Sequence, residues 1–424
     1  MVKKIKINMK DRIIGLLFVI IWYVSVLAGF FTLICPILPL AIISPKKYRK
    51  LSDKVFGMWE PFTAAMLEIF FGTRIYLTGD KINPYESSVL IMNHRTRVDW
   101  GFLWLALFHC CQPNAHNVKY VLKSSLMHLP GPGWVMQTCS FIFVHRNWSR
   151  DKFLINQMIN YLNNSDQLYQ VLIFPEGTDL TEDTIRKSHK YADEKNYERY
   201  YKVLHPKTSG FAFIVQKMKT GGQLKAIYDI TIGYPKTIPI SERDLIKGKF
   251  PEEVHLHVKR YSSRILPHQE KDLKKWLRSI WKGKEMLLQN FYTVKHFPTE
   301  KLKEDSYENI NFQIKINGET SHEKSSHEFE LNSLQYTSSN EKSIINENAD
   351  ADDDDDDDED EDNNKMKNSH NWNNPYKTPN YRPSHLLSIV LGFWMILTNG
   401  FHQMVASIYF TRYKKKPQVI KKLE

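Results

Sequence analysis

The chain has 424 residues, 42% apolar and 25% charged, which is enough for a buried core and excludes disorder throughout. Its 58 Lys and Arg outweigh 47 Asp and Glu, and 12 of those acids crowd between Asp350 and Asp362, so the remainder sets 58 bases against 35 acids and favours anionic partners. Four cysteines do not make a disulfide framework, which excludes a small secreted scaffold.

The first element in chain order is the run Ile13 to Ile43, 31 residues without a charge. A straight helix of that length would be about 46 Å long, against a hydrocarbon core of about 30 Å. Pro36 and Pro39 interrupt its second half, so a kinked membrane span or a re-entrant hairpin is expected in place of a rod. Lys3, Lys4, Lys6, Lys10 and Arg12 precede it, and Lys46, Lys47, Arg49 and Lys50 follow it. Basic residues on both sides leave the orientation open. A membrane segment is therefore expected over residues 1–50.

From residue 51 to about 300 the pattern is mixed. Strand-length apolar runs stand at Ser88–Met92, Ser140–Val144, Tyr169–Phe174 and Ile227–Ile232. Helix-like stretches stand at Lys152–Leu162 and Lys271–Leu288. This alternation predicts an α/β domain with a largely buried sheet flanked by helices. The tract Phe56–Phe71, with Phe62, Met66, Ile69 and Phe70, reads equally as an interfacial helix admitting lipid or as core. Residues 301–384 are dominated by Asn, Ser, Glu, Lys and Asp and bury too little to offset ordering entropy, so a disordered polar and acidic linker is expected. A second hydrophobic segment follows at 385–412, and a basic tail at 413–424 ends in Lys421-Lys422-Leu423-Glu424. That ending resembles the dilysine signal that coat proteins read to return membrane proteins to the endoplasmic reticulum.

Three short motifs carry chemistry, and each follows an apolar run. After Met92 comes Asn93-His94-Arg95-Thr96-Arg97-Val98-Asp99. His94 and Asp99 would lie about 140° apart on a continuous helix. They meet only if His94 sits in a turn and Asp99 lies on or near the next helix. After Phe143 comes Arg146, whose guanidinium can grip a phosphate with two donors. The third motif is Phe174-Pro175-Glu176-Gly177-Thr178, where Pro ends a strand and Gly allows close backbone approach. Parallel strands would bring all three to one sheet edge, where open α/β sheets bind ligands. The group His109-Cys110-Cys111…His116 has two adjacent thiols that rarely reach one ion, so no metal is expected. No nucleic-acid module is visible.

In this order the motifs resemble those of the glycerophospholipid acyltransferase family, which includes 1-acylglycerol-3-phosphate acyltransferases. The wider stretches Leu129–Trp134, Leu204–Phe211 and Tyr228–Thr231 look most like its lysocardiolipin acyltransferase branch. The resemblance covers about Leu51 to Phe297. It implies a glycerolipid acyltransferase-type fold and transfer of a fatty acyl group from coenzyme A to a lysophospholipid hydroxyl. His94 would be the general base and Asp99 its orienting carboxylate. Arg146, Glu176, Gly177, Thr178 and, more weakly, Lys207 would bind the glycerol-phosphate part, with Glu176, which cannot attract phosphate by charge, orienting Arg146 or a substrate hydroxyl. The expected partners are lysophospholipid, acyl-CoA as co-substrate without a further cofactor, and the endoplasmic reticulum bilayer. A coenzyme-A-independent transacylase and a non-catalytic lipid-binding protein are the alternatives.

Overall fold

The computed structural model describes residues 8–111, 114–164 and 167–298. The expected linker, the second hydrophobic segment, the dilysine-like ending and the first seven residues lie outside them. The first described element is helix α1 (Met9–Gly29), continued by a wide turn at Phe30–Ile34 and a tight one at Cys35–Ile37. Helix α2 (Leu40–Ile43) and the long α3 (Pro45–Phe71) follow. The straight rod thus ends where Pro36 and Pro39 remove backbone donors. The expected domain boundary at residue 51 falls inside α3.

Helices α1 and α3 run antiparallel. The Trp59 indole donates to Ser25 Oγ at 3.0 Å, and the Phe18 ring lies 5.0 Å from Phe71. The reversal therefore comes after the apolar run, at Ser44. It places Lys10 and Arg12 at one end of the pair and Lys46, Lys47 and Lys50 at the other. The other side of α1 is apolar and exposed at Ile13, Leu16, Leu17, Ile20 and Val24. Met9–Ile37 is the one stretch among the described residues long and apolar enough to cross a membrane. In α3, Phe62 and Met66 are core residues, whereas Phe70 is exposed.

The body is one mixed sheet. Its strands are β1 (Arg74–Gly79), β2 (Ser88–Met92), β3 (Val118–Lys123), β4 (Ile142–Val144), β5 (Gln170–Ile173), β6 (Ala226–Gly233) and β7 (Glu253–Ser262). Their spatial order is β1-β7-β6-β2-β5-β3-β4. Strands β6, β2, β5, β3 and β4 are mutually parallel, while β7 is antiparallel to β6 and carries β1 with it. The parallel strands are connected through helices α4 (Asp99–Cys110), α5 (Pro132–Thr138), α6 (Trp148–Asn163), α7 (Glu182–Glu194) and α8 (Ser209–Thr220). The short α9 (Glu242–Ile246) precedes β7, and α10 (Glu270–Val294) ends the described chain.

Strand side chains alternate between two cores. Leu90 and Met92 of β2 and Tyr228, Ile230 and Ile232 of β6 pack toward α1, α3 and α4. Val89, Ile91, Val171 and Ile227 pack toward α6, α8 and α10. That double coverage explains why β2 and β5 are buried along their whole length and apolar after their first residues, Ser88 and Gln170. On the α10 side, β6 carries Asp229, and Lys284 of α10 meets it at 2.6 Å. Both are largely buried, so each charge depends on the other.

Helix α1 is docked on α9 by backbone contact. A Cβ on Gly15 would stand 2.3 Å from the Leu245 carbonyl oxygen, whereas one on Gly29 would meet nothing within 4 Å. Gly15→Ala is expected to destabilise the fold by about 1–3 kcal/mol, the usual cost of forcing atoms into a filled contact. Gly29→Ala is expected to stabilise it by up to about 1 kcal/mol through helix propensity. Thermal unfolding of both variants in detergent micelles checks the contrast; equal shifts would show that α1 is not docked this way.

Candidate functional site

The parallel set of β2, β4, β5 and β6 puts the ends of these strands on one edge, so the segments after them gather there. His94 follows β2 in a turn, and Asp99 is the first residue of α4. This is the arrangement that their spacing requires. His94 Nδ1 lies 3.0 Å from Asp99 Oδ2. Asp99 is fully buried, whereas the His94 side chain is 20% exposed. With Nδ1 engaged, Nε2 is the ring nitrogen left to meet a ligand. Phe174 packs on the imidazole with ring centroids 4.4 Å apart.

Asp99 accepts further hydrogen bonds. Thr96 N–H donates to Oδ2 at 2.9 Å, Thr96 Oγ1 to Oδ1 at 2.9 Å, and Tyr234 Oη to Oδ1 at 2.6 Å. The first turn of α4 also favours a negative charge at this position. Thr96 and Tyr234 are contributors that motif reading missed. Tyr234 follows directly on β6, so inspecting every strand end would have found it. Burial depresses the His94 pKa, but the Asp99 hydrogen bond and charge, with Glu176 and Asp179 nearby, outweigh it and leave the pKa raised.

The second and third motifs meet at Gly177. Arg146 has φ +63°, a left-handed conformation that costs a non-glycine residue about 1–2 kcal/mol. Its Nη2 donates to the Gly177 carbonyl at 2.9 Å. The preceding His145 N–H donates to Asp151 on α6 at 2.7 Å, which secures the turn. Gly177 itself has φ +71°. A Cβ there would lie 3.6 Å from Cδ of the exposed Lys207, so that chain runs past the glycine. Thr178 Oγ1 donates to Asp179 at 3.3 Å.

Glu176 corrects the expectation that it faces substrate. It is 4% exposed and turned inward. Its Oε1 accepts from His94 N–H and from the Trp281 indole, both at 3.3 Å, and its Oε2 from Leu204 N–H at 3.1 Å. Burial pushes its pKa up to about 8, against these donors. The side chain therefore ties the His94 turn to the 176–178 turn. Trp281 stands 105 residues away, and nothing in local sequence points to it. His109, in the cysteine group, bonds Glu68 of α3.

Chemically, the edge offers a histidine held by a buried carboxylate, a guanidinium and a lysine beside an exposed glycine turn. The Acyltransferase family model matches residues 74–235, and the Acyltransferase C-terminus model matches residues 244–317. Lysocardiolipin acyltransferase 1 of Mus musculus is 43% identical over 278 residues, covering 66% of this chain and 73% of that protein. Lysophosphatidylinositol acyltransferase 10 of Caenorhabditis elegans is 38% identical over 262 residues, covering 60% and 67%. A probable 1-acyl-sn-glycerol-3-phosphate acyltransferase 5 of Arabidopsis thaliana is 38% identical, covering 62% and 68%. With that identity across most of a relative's length, and with its motifs gathered at one sheet edge, this chain belongs to the acyltransferase family.

Proposed function

We propose that the protein transfers a fatty acyl group from acyl-CoA to the free hydroxyl of a lysophospholipid, of the lysophosphatidic acid, lysocardiolipin, lysophosphatidylglycerol or lysophosphatidylinositol type. The observation that carries the reading is the His94–Asp99 pair, with its carboxylate buried and its imidazole partly open, beside Arg146. His94 Nε2 takes the hydroxyl proton as the alcohol oxygen attacks the thioester carbonyl. Asp99 holds the tautomer and stabilises the imidazolium. When the tetrahedral intermediate collapses, the C–S bond breaks and the proton passes to the departing CoA sulfur. The products are an ester and free CoA, and no acyl-enzyme is needed.

Arg146 and Lys207 supply the positive charge for the acceptor's phosphate. Gly177 lets it approach the backbone, and Thr178 lies alongside. Glu176 acts through the loops it joins. The apolar outer side of α1 fits a bilayer, which would keep the domain next to its lipid acceptor.

Purified protein given labelled acyl-CoA and a panel of lysophospholipids tests the reading. Ester formation that requires acyl-CoA is expected; transfer from diacyl phospholipid without it would point to a transacylase, and no product at all to a lipid-binding protein. His94→Ala is expected to lower kcat by roughly a hundredfold or more, the scale of losing a general base. Unchanged turnover in that variant would reject the mechanism.

The pH dependence has a definite sign. The base must be neutral, so activity is present above the His94 pKa and is lost as pH falls through it. Because that pKa is raised, the acid limb of kcat/KM is expected above about 6.5, the ordinary imidazole value. A rate profile from pH 5 to 9 checks it.

Arg146→Lys keeps the charge and the backbone strain but removes the planar fork. It is expected to raise the lysophospholipid KM by roughly tenfold or more, the scale of a lost charged hydrogen bond. The acyl-CoA KM should stay within about twofold of wild type. Equal effects on both substrates would place the arginine elsewhere in the reaction.

A further inference from the structure

Residues 195–208 link α7 to α8 without a helix or strand, and they bring Lys207 to the glycine turn. Backbone donors of such a loop normally face water. Here three consecutive ones face inward. The N–H groups of Tyr201, Lys202 and Val203 donate to the Glu285 carboxylate of α10 at 2.9, 2.7 and 3.1 Å. Gln289 donates to it as well, at 2.9 Å. Glu285 is 3% exposed, so this carboxylate is internal and cannot meet a ligand.

The clamping continues along the loop. Leu204 N–H goes to Glu176, His205 N–H to Ser188 Oγ at 3.0 Å, and Lys207 N–H to the Pro175 carbonyl at 2.7 Å. The same face of α10 supplies Trp281 to Glu176 and Lys284 to Asp229, Thr231 and the Ile230 carbonyl of β6. Helix α10 is thus locked to the sheet by one residue and to the two loops of the site by its neighbours. It lies in the part of the chain that matches the Acyltransferase C-terminus model.

We propose that Glu285 is a positioning residue for the acceptor's phosphate: by gathering the 201–203 amides it holds the loop that sets Lys207 against Gly177 and Arg146. The proposal rests on the phosphate role of Arg146 and Lys207 given above. Without the carboxylate, three inward-facing donors lose their acceptor, the loop leaves α10, and Lys207 loses its place. The His94–Asp99 pair keeps its own supports in Thr96 and Tyr234. The loss should therefore fall on acceptor binding and spare the chemical step.

The test is steady-state kinetics of the full-length protein with the lysophospholipid that serves best, at saturating acyl-CoA. Glu285→Ala is expected to raise the acceptor KM about tenfold, with kcat and the acyl-CoA KM within about twofold of wild type. Glu285→Gln keeps one acceptor oxygen and the side chain's bulk; it should fold where alanine does not, with a smaller KM rise. Leu288→Ala, a core truncation one turn further along α10, should lower thermal stability and leave the acceptor KM unchanged. A KM unmoved in both Glu285 variants, a loss confined to kcat, or an equal KM rise in Leu288→Ala overturns the proposal. If Lys207→Ala and Arg146→Lys also leave the acceptor KM unchanged, the phosphate reading itself fails. If they raise it and the Glu285 variants do not, only the positioning role fails.

Discussion

The Asp99 carboxylate is the constraint on which the site depends. It is removed from water at the start of α4, so it must receive hydrogen bonds from the protein, and four donors from three residues converge on it. Thr96 folds the motif back upon itself. Tyr234 ties it to the end of β6. The remaining donor position belongs to His94 Nδ1, which orients the imidazole. An apolar residue in place of Asp99 would leave these donors without an acceptor and the ring without a fixed tautomer. The geometry of the imidazole is in this sense a by-product of solvating one buried charge.

The second half of the site is built from backbone strain and loop ties. Arg146 and Gly177 both occupy left-handed conformations, and the arginine's guanidinium bonds the glycine's carbonyl. A residue other than glycine adopts such a φ only where its surroundings insist. Here the His145 amide is captured by Asp151 of α6, so the chain must turn at Arg146. Glu176 then joins the two halves, because its carboxyl receives amides from both the His94 turn and the 204 segment. Exposed residues and buried, bracing ones are interleaved within five positions, which is why motif membership alone does not separate them.

The N-terminal helices join this apparatus to an apolar outer side. The two faces of α1 differ in their partners. Phe18, Trp22 and Ser25 meet the protein, while Ile13, Leu16, Leu17, Ile20 and Val24 are exposed. The close contact at Gly15 makes α1 continuous with the body, so the apolar side and the site keep a fixed relation. A tether of loose sequence could not provide that.

Much of this was legible in the residues because it is local. The runs at β2, β5 and β6 read as strands from length and apolarity, and Pro36 and Pro39 marked the break in the first segment. His94, Arg146 and the Phe174–Thr178 block could be picked out because each closely follows a strand, and Asp99 because it opens the helix after His94. Strands β1, β3 and β7 were missed: they are half-polar, and their pairing is set by partners far along the chain. The roles within the site needed the fold. Trp281 and Glu176 are 105 residues apart, Tyr234 and Asp99 135, and Glu285 and Tyr201 84. A glutamate that faces a ligand and one that is turned inward have the same letter and the same neighbours. Which it is depends on where desolvation leaves the carboxyl and which amides can reach it, and only the packed sheet and α10 decide that.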